Sequence, residues 1–430
     1  MTSQKIKVLV FPCGSEIGLE INAALRHSRL LELWGASSVS SNHGKYVYEN
    51  YVESFPYIDA PGFLPALRAF IEAKKINFIF SAHDSVVLEL AHRQSEIPCK
   101  VITSPFATCA IARSKRKTNE LLSKHGIRVP KIFEPCEPHL RFPVFLKPDV
   151  GQGSKGTFKV TSYEEIQFYR LKDPSLLVLE YLPGKEFTVD CFTDRHGALL
   201  FVGARERLRI QNGISVHTKP VSNSSFNNLA SQLNKILTFR GAWFFQVKED
   251  EQNELAVLEL APRIAGSMGL YRSLGVNFPL LSIFDAMGQD LKILCNSSEV
   301  EMDRALASRF RTNLNYNHIY IDLDDCIVFG EKVNTAVIAF LYHCLNRGKR
   351  LHLLTRHKGN VQETLTQFRL NGLFDTVVHL QQADSKANHI TCRPCIFIDD
   401  SFSERADVQN TLGIPVFAPD AVESLMDVDR

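Results

Sequence analysis

A chain of 430 residues, 45% hydrophobic and 22% charged, is too long for one ordinary core and predicts two to four globular domains. Forty-nine Lys and Arg against 47 Asp and Glu leave a net charge of +2, which gives no global field for nucleic acid or a membrane surface. The start, Met1 to Lys7, is polar and lacks the basic and apolar regions of a signal peptide, and no apolar run approaches the roughly 18 residues that span a bilayer. A cytoplasmic protein is expected. The ten cysteines, Cys136 among them, are scattered and read as small buried residues rather than disulfides. Cys392 and Cys395 form a CxxC with no second pair to complete a zinc site, which reads as packing before a strand.

Along the first hundred residues, Val8–Phe11, Leu33–Ala36, Asn77–Phe80 and Val101–Thr103 read as strands. Ile17–Arg26, Leu64–Ala73 and Ser85–Gln94 read as the helices between them, a rhythm that predicts a parallel sheet. The turn after the first strand, Cys13-Gly14-Ser15-Glu16-Ile17-Gly18, lacks the full dinucleotide fingerprint. Ser114 to Gly126 reads as a helix, with Ser at its start and Gly at its end. Pro130, Pro135, Pro138 and Pro143 mark a linker. From Val144 to about Ala261 the pattern becomes strands with short turns, such as Asp250–Asn253, and two helices; a further helix follows near Pro279–Met287. Residues from about Asn296 to Asn317 are polar and look like a connection. Ile319–Asp322, Leu351–Thr355 and Cys395–Asp399 then supply buried-strand signals with helical stretches between them. The expected division is an α/β domain over 1–105, an α+β domain over 106–300, a linker over 301–317 and a small α/β domain over 318–430.

Two stretches carry chemistry. In the middle, the strand Val144–Lys147 ends in a lysine and runs into Asp149-Val150-Gly151-Gln152-Gly153-Ser154-Lys155-Gly156. Glycines let backbone N–H groups approach an anionic oxygen closely, and the flanking Lys adds full charge. Leu176–Leu179 reads as a strand, followed by Glu180-Tyr181-Leu182-Pro183-Gly184-Lys185-Glu186, a turn suited to an adenine edge and a ribose acceptor. Pairing Phe244–Val247 with Val257–Leu260 brings Gln246 and Glu259 to one sheet face, two hard oxygen ligands for magnesium. Arg263 follows at the strand exit, suited to a phosphate oxygen.

This order of elements resembles the ATP-grasp superfamily, closest to its carbamoyl-phosphate-synthetase-like branch, over roughly residues 6 to 290. The resemblance implies a pre-ATP-grasp α/β domain and a two-lobed domain clamping ATP. By it, Lys115 and Lys147 contact phosphates, and Gly151, Gly153, Ser154 and Gly156 belong to a mobile phosphate cover. Glu180, Tyr181 and Leu182 edge the adenine, Glu186 holds the ribose, and Gln246 and Glu259 hold Mg²⁺, with Mn²⁺ as an allowed substitute. Arg205, Arg207 and Arg209 lie near phosphates and the acceptor; the bland alternative is the solvated face of a strand. One departure is Ala261, where the family's Glu-x-Asn-Pro-Arg carries a metal-binding Asn. The implied chemistry joins a small-molecule carboxylate to an amine or thiol through an acyl phosphate. Alternatively, the module binds ATP as a regulator without ligating.

In the tail, His318–Ile321 is followed by Asp322, Asp324 and Asp325, acids that a buried strand end holds only if their charge is neutralised. A second strand ends in Thr355, Lys386 offers a cation, and a third strand ends in Asp399 and Asp400. The set resembles the haloacid dehalogenase superfamily, over about residues 318 to 430. By the resemblance, Asp322 is the phosphoryl-accepting nucleophile and Asp324 the general acid/base. Thr355 and Lys386 hold phosphoryl oxygens, and Asp322, Asp324, Asp399 and Asp400 form the Mg²⁺ shell. Cys326 stands where Thr or Val is usual. The spacings leave no room for a cap domain, so a capless Rossmann-like phosphatase with an open site is expected. Its phosphomonoester would be large, or the first half would cover the site. No nucleic-acid or membrane partner is expected, and a homodimer is allowed.

Overall fold

The computed structural model describes residues 5–135, 137–151, 153–381 and 384–426; Cys136 and the loop residue Gln152 lie outside them. The chain forms two compact units, Met1–Leu306 and Ala307–Arg430. Among the described residues no helix is long and apolar enough to cross a membrane.

The first unit opens with a five-stranded parallel sheet in the order Asn50–Val52, Leu31–Ala36, Ile6–Phe11, Phe78–Ser81, Lys100–Ile102. Apolar runs bury both faces of its centre: Val8, Leu9 and Val10 are inaccessible, as parallel strands covered by helices require. The edge strand Asn50–Val52 escaped the sequence reading because three residues carry no measurable period. The helix expected over Ser114 to Gly126 is Lys115–Lys124, with Ser114 as its N-cap accepting from Lys117 N–H. A separate helix, Phe106–Arg113, precedes it.

Two antiparallel sheets build the rest of this unit. A four-stranded sheet runs Ile132–Phe133, Leu176–Glu180, Val144–Pro148, Phe158–Val160. A six-stranded sheet runs Leu255–Ala261, Gly241–Glu249, Glu186–Thr193, Leu199–Gln211, Ile214–Val221, Met302–Asp303. One face of the larger sheet packs Val189, Cys191, Phe245 and Val247 against Phe226, Ala230 and Leu233 of the helix Ser224–Ile236, residues spaced to share one helix face. Trp243 is fully buried and stacks on Phe239 with ring centroids 3.8 Å apart. The other face carries Thr188, Arg205, Gln246 and Glu259, which pair across consecutive strands.

The linker expected over 301–317 starts too early. Met302–Asp303 is the sixth strand, paired with Thr218 and His217, and Arg209 reaches Asp303 at 2.7 Å. Two strand residues are too few to show alternation in sequence.

The second unit is a parallel sheet in the order Thr376–His379, Arg350–Thr355, His318–Ile321, Cys395–Ile398, Val416–Phe417. Its strand order reverses at His318–Ile321, where successive connections leave to opposite sides. In such sheets the crevice for ligands opens at the carboxyl ends of the strands flanking that point. Between the first two strands in sequence lie a hairpin, Val328–Phe329 with Lys332–Val333, and the helix Thr335–Leu345. Cys395 is buried on its strand and Cys392 half-buried before it, as the packing reading of that pair expects.

Candidate functional site

In the first unit one pocket gathers most of the residues singled out from the sequence. Lys115, Lys147, Gly151, Gly153, Ser154, Glu180, Tyr181, Leu182, Glu186, Gln246 and Glu259 all line it. Gly156 is not part of that lining, and Arg205 and Arg263 line an adjoining cavity instead.

Charge organises the pocket floor. Lys147 Nζ lies 3.4 Å from Glu259 Oε2. Burial pushes the Glu259 carboxyl up, but Lys147 and then Lys115 outweigh it and hold it below the usual range. Burial, reinforced by the like charge of Lys147, lowers Lys115 to about 8, and its ammonium donates to Asp149 O at 3.1 Å. Two cations are thus held close together with little solvent, an arrangement that favours an anion between them. Asp149 in turn receives Ser114 Oγ at 2.9 Å and Arg116 N–H at 2.8 Å, which ties the start of the glycine loop to a helix N-terminus.

Three expected roles change in detail. The Glu180 carboxylate is taken by Arg128 at 2.6 Å and by Lys131 N–H at 3.1 Å, leaving the pocket edge to Tyr181 and Leu182. Tyr181 lies under Lys159, 4.3 Å from ring centroid to Nζ. Arg207 donates to Glu186 and, at 2.9 Å, to Gln246 Oε1, so the arginine crosses both the ribose and the metal positions. Arg263 is bidentate to Asp84, at 2.5 and 2.9 Å, because the exit of its strand meets the start of the helix Asp84–His92. Ala261 is 5% exposed in an apolar cluster and offers no ligand.

The sequence reading missed the cover of the glycine loop. The turn Asn212-Gly213 between the strands Leu199–Gln211 and Ile214–Val221 lies on Gly153: a Cβ on Gly213 would sit 2.3 Å from the Gly153 carbonyl carbon, and Gly213 adopts φ +75. No side chain fits there.

In the second unit the acids converge as expected. Lys386 Nζ bridges Asp322 at 2.9 Å and Asp399 at 2.6 Å, and carboxylate oxygens of Asp322, Asp399 and Asp400 fall within 4.8 Å of one another. Three hard oxygen donors around one point suit Mg²⁺. Thr355 is fully buried beside them at its strand end and accepts from His357 N–H at 3.1 Å. Asp324 departs from the expected metal shell. Its carboxylate is held by His357 Nδ1, 2.9 Å from both oxygens, and it is not part of the three-acid group. Asp325 follows at φ +54, turning the chain into the hairpin. His357, two residues beyond Thr355, went unnoticed because a lone histidine carries no spacing signal.

Burial pushes the Asp322 carboxyl up to about 6, with Lys386 opposing and Asp399 adding to the rise. The unfolded value is about 3.9, so the folded chain prefers the protonated form. That preference is fully present below the unfolded value and is lost as pH rises through about 6. In chelator-treated buffer, Asp322→Asn is therefore expected to melt above the unsubstituted chain at about pH 7, the gap closing toward about pH 4. Scanning calorimetry reads this; a variant that melts lower at the upper pH contradicts it.

Comparison with known proteins bears on the first unit. Residues 172–308 match the family described as "ATP-grasp in the biosynthetic pathway with Ter operon". A D-alanine–D-alanine ligase of Fusobacterium nucleatum is 30% identical over 145 residues, covering 32% of this chain and 50% of that protein. The carbamoyl phosphate synthase large chain of Clostridium beijerinckii is 28% identical over 221 residues, covering 46% of this chain and 21% of that one. The chain thus spans half the length of the first relative and about a fifth of the second. The N5-carboxyaminoimidazole synthetase of Staphylococcus aureus shares its fold with a TM-score of 0.55 at 18% identity, over 68% of this chain and 80% of that one. Residues 172–308, which carry much of the first pocket, are thus similar to an ATP-grasp family, and about two thirds of the chain shares the fold of the synthetase.

Proposed function

We propose that the first unit is an ATP-dependent carboxylate–amine (or carboxylate–thiol) ligase and the second a Mg²⁺-dependent phosphomonoester phosphatase of the haloacid dehalogenase superfamily. The observation that carries the ligase reading is Lys147 paired with Glu259 on the floor of a pocket lined by a glycine loop. The adenine lies against Tyr181 and Leu182, and the phosphates against Lys115, Lys147 and the loop. Glu259, and Gln246 once Arg207 releases it, would hold a Mg²⁺ ion, which would supply neutralisation of the phosphate charge. The substrate carboxylate attacks the γ-phosphate, ADP leaves, and an amine or thiol displaces phosphate from the acyl phosphate. Lys115, Lys147 and Arg207 stabilise the charge that builds on the transferring group.

A second reading, an ATP-binding regulator without ligation, is favoured by Ala261 at the family's Asn position. Amine-dependent release of ADP separates the two. Under the ligase reading, spent nucleotide is ADP with phosphate, and Lys147→Ala loses at least tenfold in nucleotide affinity, about 1.4 kcal/mol. Calorimetry and chromatography read both. AMP as the main product, or unchanged affinity, contradicts the reading.

In the second unit the bridge of Lys386 between Asp322 and Asp399 supports phosphoryl transfer. Asp322 attacks phosphorus and becomes an aspartyl-phosphate while Asp324 protonates the leaving oxygen. Asp324 then takes a proton from the water that hydrolyses it. Lys386 and Thr355 hold the phosphoryl oxygens, and Asp322, Asp399 and Asp400 would hold a Mg²⁺ ion that would supply neutralisation of the dianion's charge. With nitrophenyl phosphate, Asp322→Asn is expected to abolish turnover. Asp324→Asn is expected to accept one phosphoryl group from this good leaving group and stall, giving a burst of about one equivalent. Full turnover in Asp322→Asn, or indifference to chelator, defeats the assignment.

A further inference from the structure

The cavity that adjoins the nucleotide pocket holds donors that neither the nucleotide nor the metal uses. It encloses about 620 Å³, a size suited to a small-molecule ligand. Seven Lys or Arg side chains and three acids line it. Arg205 stands in its wall although only 1% of the residue is exposed. Asp190, fully buried, takes Arg205 Nε at 2.7 Å and Nη2 at 3.2 Å. The third donor nitrogen, Nη1, is buried and has no acceptor among the described residues. Arg207 Nε and Arg304 Nη1, on the same cavity, are in the same condition. A buried N–H without an acceptor costs about 1–3 kcal/mol, so three around one cavity call for a ligand that satisfies them.

Arg304 is brought there by the short sixth strand, and its own N–H donates to Val216 O at 2.7 Å. Burial lowers its pKa, and the like charge of Arg205 adds to that against Glu16 and Glu20. Two guanidinium groups therefore line one space, and for Arg304 burial outweighs the pull of the two acids. Strand register fixes where that space lies. Glu259 pairs with Gln246, Gln246 with Thr188, and Thr188 with Arg205. Arg205 is thus three strand spacings from Glu259, about 14 Å. A carboxylate reacting at the γ-phosphate must stand at the Glu259 end, so an anion held by Arg205 and Arg304 is a different group.

We propose that this cavity is the acceptor site and that Arg205 and Arg304 bind a second oxyanion of the acceptor, a carboxylate or a phosphate, apart from the carboxylate that reacts. The inference rests on the ligase reading for the word acceptor, but the anion site itself is separable from it. Thr188, buried between the two ends of the row, adds a hydroxyl along the ligand's path.

The full chain is titrated calorimetrically with glutarate, with inorganic phosphate and with acetate, and separately with Mg·ADP. Glutarate or phosphate is expected to bind more tightly than acetate, and Arg304→Gln to weaken that binding by roughly tenfold or more while Mg·ADP affinity holds. The anion whose binding depends on Arg304 identifies the group. Arg205→Lys keeps a charge for Asp190 but removes the planar fork, and a matched melting temperature shows that it folds; the same loss is expected from it. Anion binding with no preference over acetate, or equal in both variants and the unsubstituted chain, overturns the proposal, and intact Mg·ADP binding would then leave the ligase reading standing. If Mg·ADP fails to bind while glutarate or phosphate still depends on Arg304, the anion site is upheld and the ligase reading falls.

Discussion

Strand register in the six-stranded sheet is the constraint on which the first site depends. Side chains alternate faces along a strand, so a slip of one residue would turn Arg205, Thr188, Gln246 and Glu259 into the apolar side. The opposite face is fixed by Val189, Phe245 and Val247, all fully buried, which makes such a slip very unfavourable. The buried pair of Arg205 and Asp190 acts in the same direction. Removing either partner would leave a lone charge with no water, which typically costs about 3–5 kcal/mol. The apolar face and the ion pair together hold four polar side chains in one row, and that row is what the pocket and its adjoining cavity share.

A second regularity runs through both units. In each, a lysine is set against acids that burial would otherwise discharge: Lys147 against Glu259, and Lys386 against Asp322 and Asp399. The outcome differs with the count of acids. One acid with two nearby cations stays below its ordinary range, whereas two acids sharing one cation in a drier site do not: Asp322 and Asp399 are both raised. The first site therefore has spare positive charge and suits anions, and the second has spare negative charge and suits a divalent cation.

Much of this was legible in sequence wherever the signal was local. Lys147 before a glycine loop, and acids directly after apolar runs at Asp322 and Asp399, are patterns a few residues long with a physical reason to be rare. The parallel sheets followed from strands alternating with helices. What was not legible depends on contacts between distant segments. Arg263 was expected at a phosphate because it leaves a strand beside Glu259, yet its partner is Asp84, 179 residues away. Arg304 sat in a stretch that looked like linker, because a two-residue edge strand has no period. His357 and the Asn212-Gly213 turn acquire meaning only when another loop is brought against them. Asp324 was expected in the metal shell as well as at the leaving oxygen, but His357, 33 residues away, holds its carboxylate outside the three-acid group.

The most direct measurement is a crystal structure of the full chain with Mg·ADP. The account predicts the adenine against Tyr181 and Leu182, and the phosphates between Lys115 and Lys147. It also predicts a metal on Glu259 and Gln246, with Arg207 no longer bonded to the Gln246 oxygen. A nucleotide bound elsewhere, or one bound here with the Arg207–Gln246 contact intact and no metal on Glu259, would contradict it.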